Sequence, residues 1–174
     1  MFIYFIRHGS TDYTEKGLSQ GQLDIPLSEK GVFEAKSIKA SVRGLPIDVI
    51  YSSPLLRCGQ TAKIINQDIG LPIVYDDRLM EMFLGRRQGT DFYKWSEEER
   101  ERFRRMPEFY GAESNEHFYN RVVDFYEDVL NKKRSALIVS HGGVFKNIYR
   151  FIHGIDNYTT KFRTPETCEI FRLQ

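Results

Sequence analysis

Two short apolar runs in this chain each end at a histidine with glycine beside it. Near the start, Phe2-Ile3-Tyr4-Phe5-Ile6 leads into Arg7-His8-Gly9-Ser10-Thr11. Far downstream, Ala136-Leu137-Ile138-Val139 leads into Ser140-His141-Gly142-Gly143. A short run with no charged residue suits a strand covered on both faces, as at the centre of a parallel sheet. Ligands in open α/β sheets gather beyond the carboxyl ends of such strands. The pattern predicts two imidazoles meeting at one sheet edge, and chemistry there.

Strand and helix signals alternate along the rest of the chain, which predicts a three-layer α/β/α sandwich with a mostly parallel central sheet. A polar, glycine-containing loop runs to Pro26, and Ser28 is placed to cap a helix to about Gly44 that buries Val32, Ala35, Ile38 and Val42. Residues 48–51 read as a short strand. Ser53 and Pro54 read as the N-cap and first residue of a helix ending at Gly70. Its Leu55, Cys58, Ala62, Ile65 and Ile69 recur at helical spacing. Residues 72–75 read as a strand, and Ser114 is placed to cap a helix burying Phe118, Val122, Phe125 and Val129. A helix over 143–151 and a last strand over 169–173 complete the fold. Residues 97–105 are a dense run of charge with only Phe103 apolar. This is a solvated helix face, or else part of a mobile cap that supplies an arginine to substrate. No repeat or linker divides the 174 residues, which predicts one domain over 1–174 with a short helical cap at about 84–115.

Lys and Arg number 25 against 24 Asp and Glu, a net charge of +1. That balance argues against a nucleic-acid binder and a membrane-surface protein, so any strong positive potential must be local. The opening apolar run is too short for a membrane span and lacks the basic segment of a signal peptide. The expected location is the cytoplasm. Cys58 and Cys168 belong to no CxxC or Cys/His spacing and read as small core residues in a reducing compartment. No HxH, HExxH or carboxylate cluster suggests a metal, and neither a metal nor another cofactor is expected.

Five blocks give the two histidines a context. The first is Arg7-His8-Gly9-Ser10-Thr11, and the second runs from Gln20-Gly21-Gln22 through Pro26-Leu27. The third is Ser52-Ser53-Pro54-Leu55-Leu56-Arg57-Cys58-Gly59-Gln60-Thr61-Ala62. The fourth is Leu79-Met80-Glu81 with Gly85 and Gly89, and the fifth is Ser140-His141-Gly142-Gly143. In this order, over nearly the whole chain, they resemble the histidine phosphatase superfamily, also called the phosphoglycerate mutase-like family. The resemblance implies that His8 is the nucleophile, taking a phosphoryl group onto one ring nitrogen while a backbone carbonyl holds the hydrogen of the other. It implies that Arg7 and Arg57 fork onto the phosphoryl oxygens, a task suited to a planar, permanently charged guanidinium. His141 matches the second histidine and would donate to the same oxygens, joined by the amide of Gly142 at a helix start. Glu81 matches the general acid, which protonates a poor alkoxide leaving group and then activates water.

Departures from the family's pattern touch the substrate side. Ser10 stands for its usual glutamate, Tyr13 for tryptophan and Thr14 for asparagine; Leu84, Arg87 and Gln88 replace phenylalanine, tryptophan and glutamate. That asparagine usually touches phosphate, so Thr14 must do so with its hydroxyl or not at all. Gln20 matches a position that contacts phosphate in some members, and Gly21 joins the same expected binding set. The implied function is metal-independent hydrolysis of a small-molecule phosphate ester through a phosphohistidine on His8. The ester could be a sugar phosphate, a phosphoglycerate, a nucleotide or α-ribazole phosphate. A phosphoglycerate mutase with the same His8 chemistry is the alternative, and a non-catalytic phosphate-binding protein on the same fold is another. The stretch 86–113 is short and charged, with few aromatics expected to seal a pocket, which favours hydrolysis. His117 and His153 read as surface or structural residues, and nothing in the sequence sets an oligomeric state.

Overall fold

The computed structural model describes residues 1–155 and 162–174. Its middle layer is a sheet of β1 (Ile3–Arg7), β2 (Val49–Ser52), β3 (Ile73–Tyr75), β4 (Ala136–Ser140) and β5 (Ile170–Arg172), in the order β3-β2-β4-β1-β5. The first four run parallel, and β5 lies antiparallel on β1. Helices α1 (Asp12–Glu15), α2 (Glu29–Ser37), α3 (Lys39–Arg43), α4 (Leu56–Asn66), α5 (Glu97–Arg105), α6 (Asn115–Asn131) and α7 (Gly142–His153) supply the rest. Alternate strand residues point to opposite faces, and here both sets are buried. Ile3, Phe5, Val49, Tyr51, Ala136 and Ile138 pack on the apolar stripes of α6 and α7. Tyr4, Ile6, Ile50, Leu137 and Val139 pack on Val42 of α3 and on Cys58, Ala62 and Ile65 of α4. These two cores are what make the sandwich three layers.

The same arrangement opens a crevice. β1 and β4 are neighbours, paired from Ile3 with Ala136 to Arg7 with Ser140. The chain leaves β1 toward the face of α2–α4 and leaves β4 toward the face of α7. Where connections depart to opposite sides, the loops part at the carboxyl edge and leave room for a ligand.

Two expected helices differ. The single helix to Gly44 is broken at Ile38, which ends α2 and begins α3 with ψ near −1°. The two halves pack on different partners: Gly31 lies so close to the carbonyl of Ser10 that a Cβ there would collide with it, while α3 turns to bury Val42. Val32 and Ile38 end only half-buried. The second difference is α4, which starts at Leu56 and not at Pro54. Ser53 is not its cap. Asp24 takes that place from a distant loop, its Oδ1 accepting the Leu56 N–H at 2.6 Å. The helix stops at Asn66, whose side chain bonds both N–H and C=O of Leu71 and folds the chain through Gly70 at φ 71°.

The stretch between Glu81 and α6 is more aromatic than its charge suggests. Ser96 and Glu99 form a reciprocal cap on α5, with acidic residues in the first turn and arginines in the last, both favourable to the helix dipole. Exposed ion pairs such as Glu98–Arg102 and Glu101–Arg105 cover its outer side. The inner side is Phe103, with its ring centroid 5.5 Å from Trp95 and 5.8 Å from Tyr110. Arg87 slots between those two rings at 4.4 and 4.3 Å and pairs with Glu99 at 2.6 Å. Arg87, standing where the family has tryptophan, thus ties this stretch together by cation–π contact.

Candidate active site

The ladder of the sheet carries on past the strand ends and sets the two imidazoles. His8 N–H donates to Ser140 O at 2.9 Å, and Ser53 N–H donates to Val139 O at 3.1 Å. The ends of β1, β4 and β2 therefore bring His8, His141 and Ser53 together. The two imidazole rings stand edge to face with centroids 5.2 Å apart. Nδ1 of His8 lies 2.8 Å from the carbonyl of Gly9. A carbonyl only accepts, so Nδ1 carries the hydrogen and Nε2 keeps its lone pair. Burial, then the charge of Arg57, hold His8 well below the usual imidazole range, against the bond to Gly9, which raises it. Burial, Arg57, His8 and Arg7 do the same to His141. Both rings are neutral at pH 7.

Arg57 is almost wholly buried, at 1% exposure. Its terminal nitrogens donate to the carbonyls of Gly21 and Leu23, each at 2.7 Å. These bonds fix the plane of the guanidinium, and they show what Gly21 contributes: a carbonyl that orients Arg57. The Nε atoms of both Arg57 and Arg7 are buried with no hydrogen-bond partner among the described residues. A buried orphan donor costs about 1–3 kcal/mol, and here two arginines that wall one cavity keep such a donor. Gly142 lies against Arg7, where a Cβ would be 3.9 Å from that Nε.

Glu81 faces them from the loop after a 3₁₀ turn over 77–79. Its Oε1 accepts the Met82 N–H at 2.9 Å and its Oε2 the Gly143 N–H at 3.1 Å. The loop is held from outside the expected set. Ser140 Oγ donates to Leu79 O at 2.7 Å, and Gln22 Nε2 donates to Glu81 O at 3.0 Å. Arg121 of α6 donates to the carbonyls of Arg78 and Met80, both at 2.7 Å, and of Glu81 at 3.1 Å. Its remaining edge grips Glu113 at 2.7 and 2.9 Å. Nothing in the sequence singled out Arg121.

A cavity of about 480 Å³ lies beyond the sheet edge, walled by Arg7, His8, Gln20, Gly21, Arg57, Glu81 and Gly142 among others. Thr14 and His141 do not line it. Thr14 is engaged elsewhere: its hydroxyl sits 3.0 Å from Thr11 Oγ1 and accepts from Gln20 Nε2 at 2.9 Å. Gln20 is held in the same network, with Oε1 accepting from Thr11 at 2.9 Å. His141 is fully buried behind His8, with Nε2 2.9 Å from Ser53 Oγ and 3.4 Å from the sulfur of Cys58. Ser53, read from the sequence as a cap, is thus a positioning group for His141, and burial pushes the Cys58 thiol up to about 12. His117 is exposed and pairs with Glu113, while His153 lies tilted against Tyr149 with ring centroids 4.1 Å apart. Among the described residues no three His, Cys, Asp or Glu side chains gather as a metal site, and no helix is long and apolar enough to cross a membrane.

Residues 3–174 match the family model of the histidine phosphatase superfamily, branch 1. The chain belongs to that superfamily. It is 33% identical over 167 residues to phosphoserine phosphatase 1 of Hydrogenobacter thermophilus, covering 88% of this chain and 77% of that protein. Over 180 residues it is 31% identical to a protein of Salmonella paratyphi A named as a probable phosphoglycerate mutase, GpmB, with 98% and 83% covered. The solved phosphoglycerate mutase from Thermus thermophilus superposes with a TM-score of 0.78 at 25% identity, over 99% of this chain and 92% of that one. This member of the superfamily therefore has relatives named for both hydrolysis and phosphoryl return.

Proposed function

We propose that this member of the histidine phosphatase superfamily hydrolyses a small phosphomonoester, without a metal, through a phosphohistidine on His8. The observation that carries the reading is the bond from Nδ1 of His8 to Gly9 O, which leaves a neutral Nε2 lone pair beside Arg7, Arg57 and Glu81. The phosphoryl oxygens lie against the two guanidinium groups, whose buried Nε donors have no partner among the described residues. Nε2 attacks phosphorus, the bond from phosphorus to the ester oxygen breaks, and a protonated Glu81 gives its proton to the leaving alkoxide. Water then attacks the phosphohistidine while the Glu81 carboxylate takes its proton. Inorganic phosphate leaves, and His8 and protonated Glu81 are restored. Positioning and fixed charge supply most of the acceleration in such a transfer.

A phosphoglycerate mutase is the second reading. Phe92 and Phe103 of the aromatic stretch reach the cavity wall, and a closed aromatic wall slows water. Hydrolysis is favoured by the brevity of that stretch, which holds a single α-helix of nine residues. Acid quench with a labelled ester should trap an acid-labile, base-stable adduct that is absent in His8→Ala. Turnover should also survive exhaustive chelation. Normal turnover in His8→Ala, or chelation loss restored by a divalent ion, would overturn the reading.

A further inference from the structure

The peptide that orients His8 has a second end. Its carbonyl is Gly9 O, which accepts the hydrogen of His8 Nδ1 at 2.8 Å. Its N–H belongs to Ser10 and donates to Oε2 of Glu34, on α2, at 2.8 Å. The peptide is planar and trans, so these two bonds leave it in nearly opposite directions. Carboxylate, peptide and imidazole thus form one series of hydrogen bonds that ends at the lone pair of His8 Nε2. We infer that Glu34 is a positioning residue for His8, whose negative charge acts through the Gly9–Ser10 peptide and strengthens Nε2 as a nucleophile. This rests on the function proposed above, in which His8 attacks phosphorus, and adds to it a residue that does not line the cavity.

The fold holds this series rigidly. Helix α2 lies directly on the loop after β1: a Cβ on Gly9 would come within 2.6 Å of Gly31 O, and one on Gly31 would collide with Ser10 O. Glu34 is three residues beyond Gly31, one turn along the same helix face. Ser28 N–H holds Ser10 O at 2.9 Å, and Gly9 N–H donates to Thr61 Oγ1 of α4 at 3.1 Å. Neither end of the peptide is free to rotate away. Oε1 of Glu34 accepts the Ser10 hydroxyl at 2.8 Å, so both of its oxygens accept, as those of an ionised carboxylate do. The side chain is 19% exposed, and its ion pair with the exposed Lys30 is a long one of 3.9 Å. A bond to a charged acceptor polarises the amide, and hydrogen bonds in such a series strengthen one another by about 10–30% each. Burial and the charges of Arg57 and Arg7 make His8 a weak base, and the Gly9 carbonyl works against them. When Nε2 shares its lone pair with phosphorus, Nδ1 keeps its hydrogen and the ring gains positive charge. A carboxylate behind that hydrogen stabilises the charge, as the aspartate of a Ser-His-Asp triad does directly. Here one peptide stands between, and no proton crosses it. A neutral side chain would tie α2 to the loop equally well, so the charge is what has to be tested.

Glu34→Gln keeps the shape and an acceptor for Ser10 and removes the charge. With p-nitrophenyl phosphate, whose leaving group needs no proton, kcat/KM reads phosphorylation of His8. It should fall about 5- to 10-fold, the gap between a charged and a neutral hydrogen-bond acceptor. Breakdown of the labelled phosphohistidine in a chase should be as fast as in the wild type or faster, because a less electron-rich ring leaves phosphorus more easily. A site that is merely loosened slows both steps. In the resting enzyme the Nδ1 proton resonance of His8, assigned by its loss in His8→Ala, should move upfield. Glu34→Asp, which keeps the charge on a shorter arm, should lie nearer the wild type than Glu34→Gln in kcat/KM and in the resonance. Both steps slowed together, an unmoved resonance, or Glu34→Gln nearer the wild type than Glu34→Asp would overturn the inference. The resonance is read without turnover, so the two failures separate. If the labelled phosphate is found on another residue and Glu34→Gln still shifts the resonance, the reading of His8 as nucleophile fails and the coupling stands. If the adduct forms on His8 and Glu34→Gln changes neither the resonance nor the rates, the coupling fails alone.

Discussion

The carboxylate of Glu81 occupies the space that a side chain on Gly143 would need. Gly143 donates its N–H to Oε2 at 3.1 Å, and a Cβ built on it would collide with Oε1 and come within 3.0 Å of the Phe118 ring. Gly143 is not among the glycines with positive φ, so space and not backbone freedom sets the requirement. Two segments far apart in sequence, the Glu81 loop and the start of α7, are therefore fitted to each other at one atom pair.

This fit makes Gly143→Ala a way to move Glu81 without removing it. Alanine suits a helix better than glycine, so α7 should survive. Turnover of alkyl phosphates should fall roughly 10²-fold or more, as for a lost general acid, in both Gly143→Ala and Glu81→Gln. Aryl phosphates, whose leaving groups need no proton, should lose much less. Equal losses on both classes of ester would mean that Glu81 only positions or folds.

Arg121 offers a test of positioning. It ties three carbonyls around Glu81 to the carboxylate of Glu113, whose side chain is 8% exposed. Arg121→Met leaves that carboxylate with only His117 and a backbone amide, and should cost roughly 3 kcal/mol of stability, the low end for breaking a buried ion pair. kcat on alkyl phosphates should fall with KM little changed, and Arg121→Lys should recover stability better than kcat, since ammonium cannot match the fork. A stability loss with kcat intact would show that the loop holds Glu81 without help.

The outcome for individual residues shows what the sequence makes legible. The meeting of His8 with His141 and the central strands are legible because each histidine stands one residue beyond a buried apolar run, a local pattern. Arg7, Arg57 and Glu81 were readable only through their surrounding blocks, and they do meet at one cavity. Ser53 is not the cap, although Ser-Pro is a strong local start signal. The actual cap, Asp24, is 32 residues away from Leu56 and leaves no mark in a local window. Arg121 is not legible in the sequence because one arginine beside an apolar helical stripe has the pattern of an ordinary solvent-facing residue. The aromatic packing of residues 92–110 is hidden in the sequence because the charges there are contiguous while Trp95, Phe103 and Tyr110 are scattered and meet only through folding.

The two buried imidazoles predict a particular pH dependence of stability. Their folded pKa values lie below the unfolded value near 6.5, so below that pH the unfolded chain binds protons that the folded chain refuses. Stability is complete above about pH 6.5 and falls as the pH drops toward the folded values, by up to about 1.4 kcal/mol per pH unit for each histidine. Burial pushes the carboxylates of Asp76 and Glu113 up, but the hydrogen bonds and charges around them, led by Arg78 and Arg121, together hold both low, and their contribution is lost only at lower pH. The window from pH 7 to 5 therefore isolates the histidines. Urea titrations across it should show a shallower slope for His8→Asn than for the wild type. Parallel slopes would show that His8 does not fold in its neutral form.

The last prediction separates hydrolysis from phosphoryl return, and the aromatic stretch makes the outcome informative. Phe92 and Phe103 reach the cavity wall, yet Phe92 is 46% exposed and the neighbouring Tyr93 77% exposed, so the wall has a wet side. A mutase must keep water from the phosphohistidine long enough for the intermediate to be reclaimed, which needs a closed site. Water should reach this one. With 3-phosphoglycerate supplied alongside a bisphosphate primer, inorganic phosphate should appear faster than 2-phosphoglycerate. Truncating Phe103 to Ala should open the wall further and lower any residual isomer yield relative to phosphate. Rapid formation of 2-phosphoglycerate with negligible phosphate release, reversed toward hydrolysis in Phe103→Ala, would show instead that the aromatic stretch closes over the site and that the mutase reading is the right one.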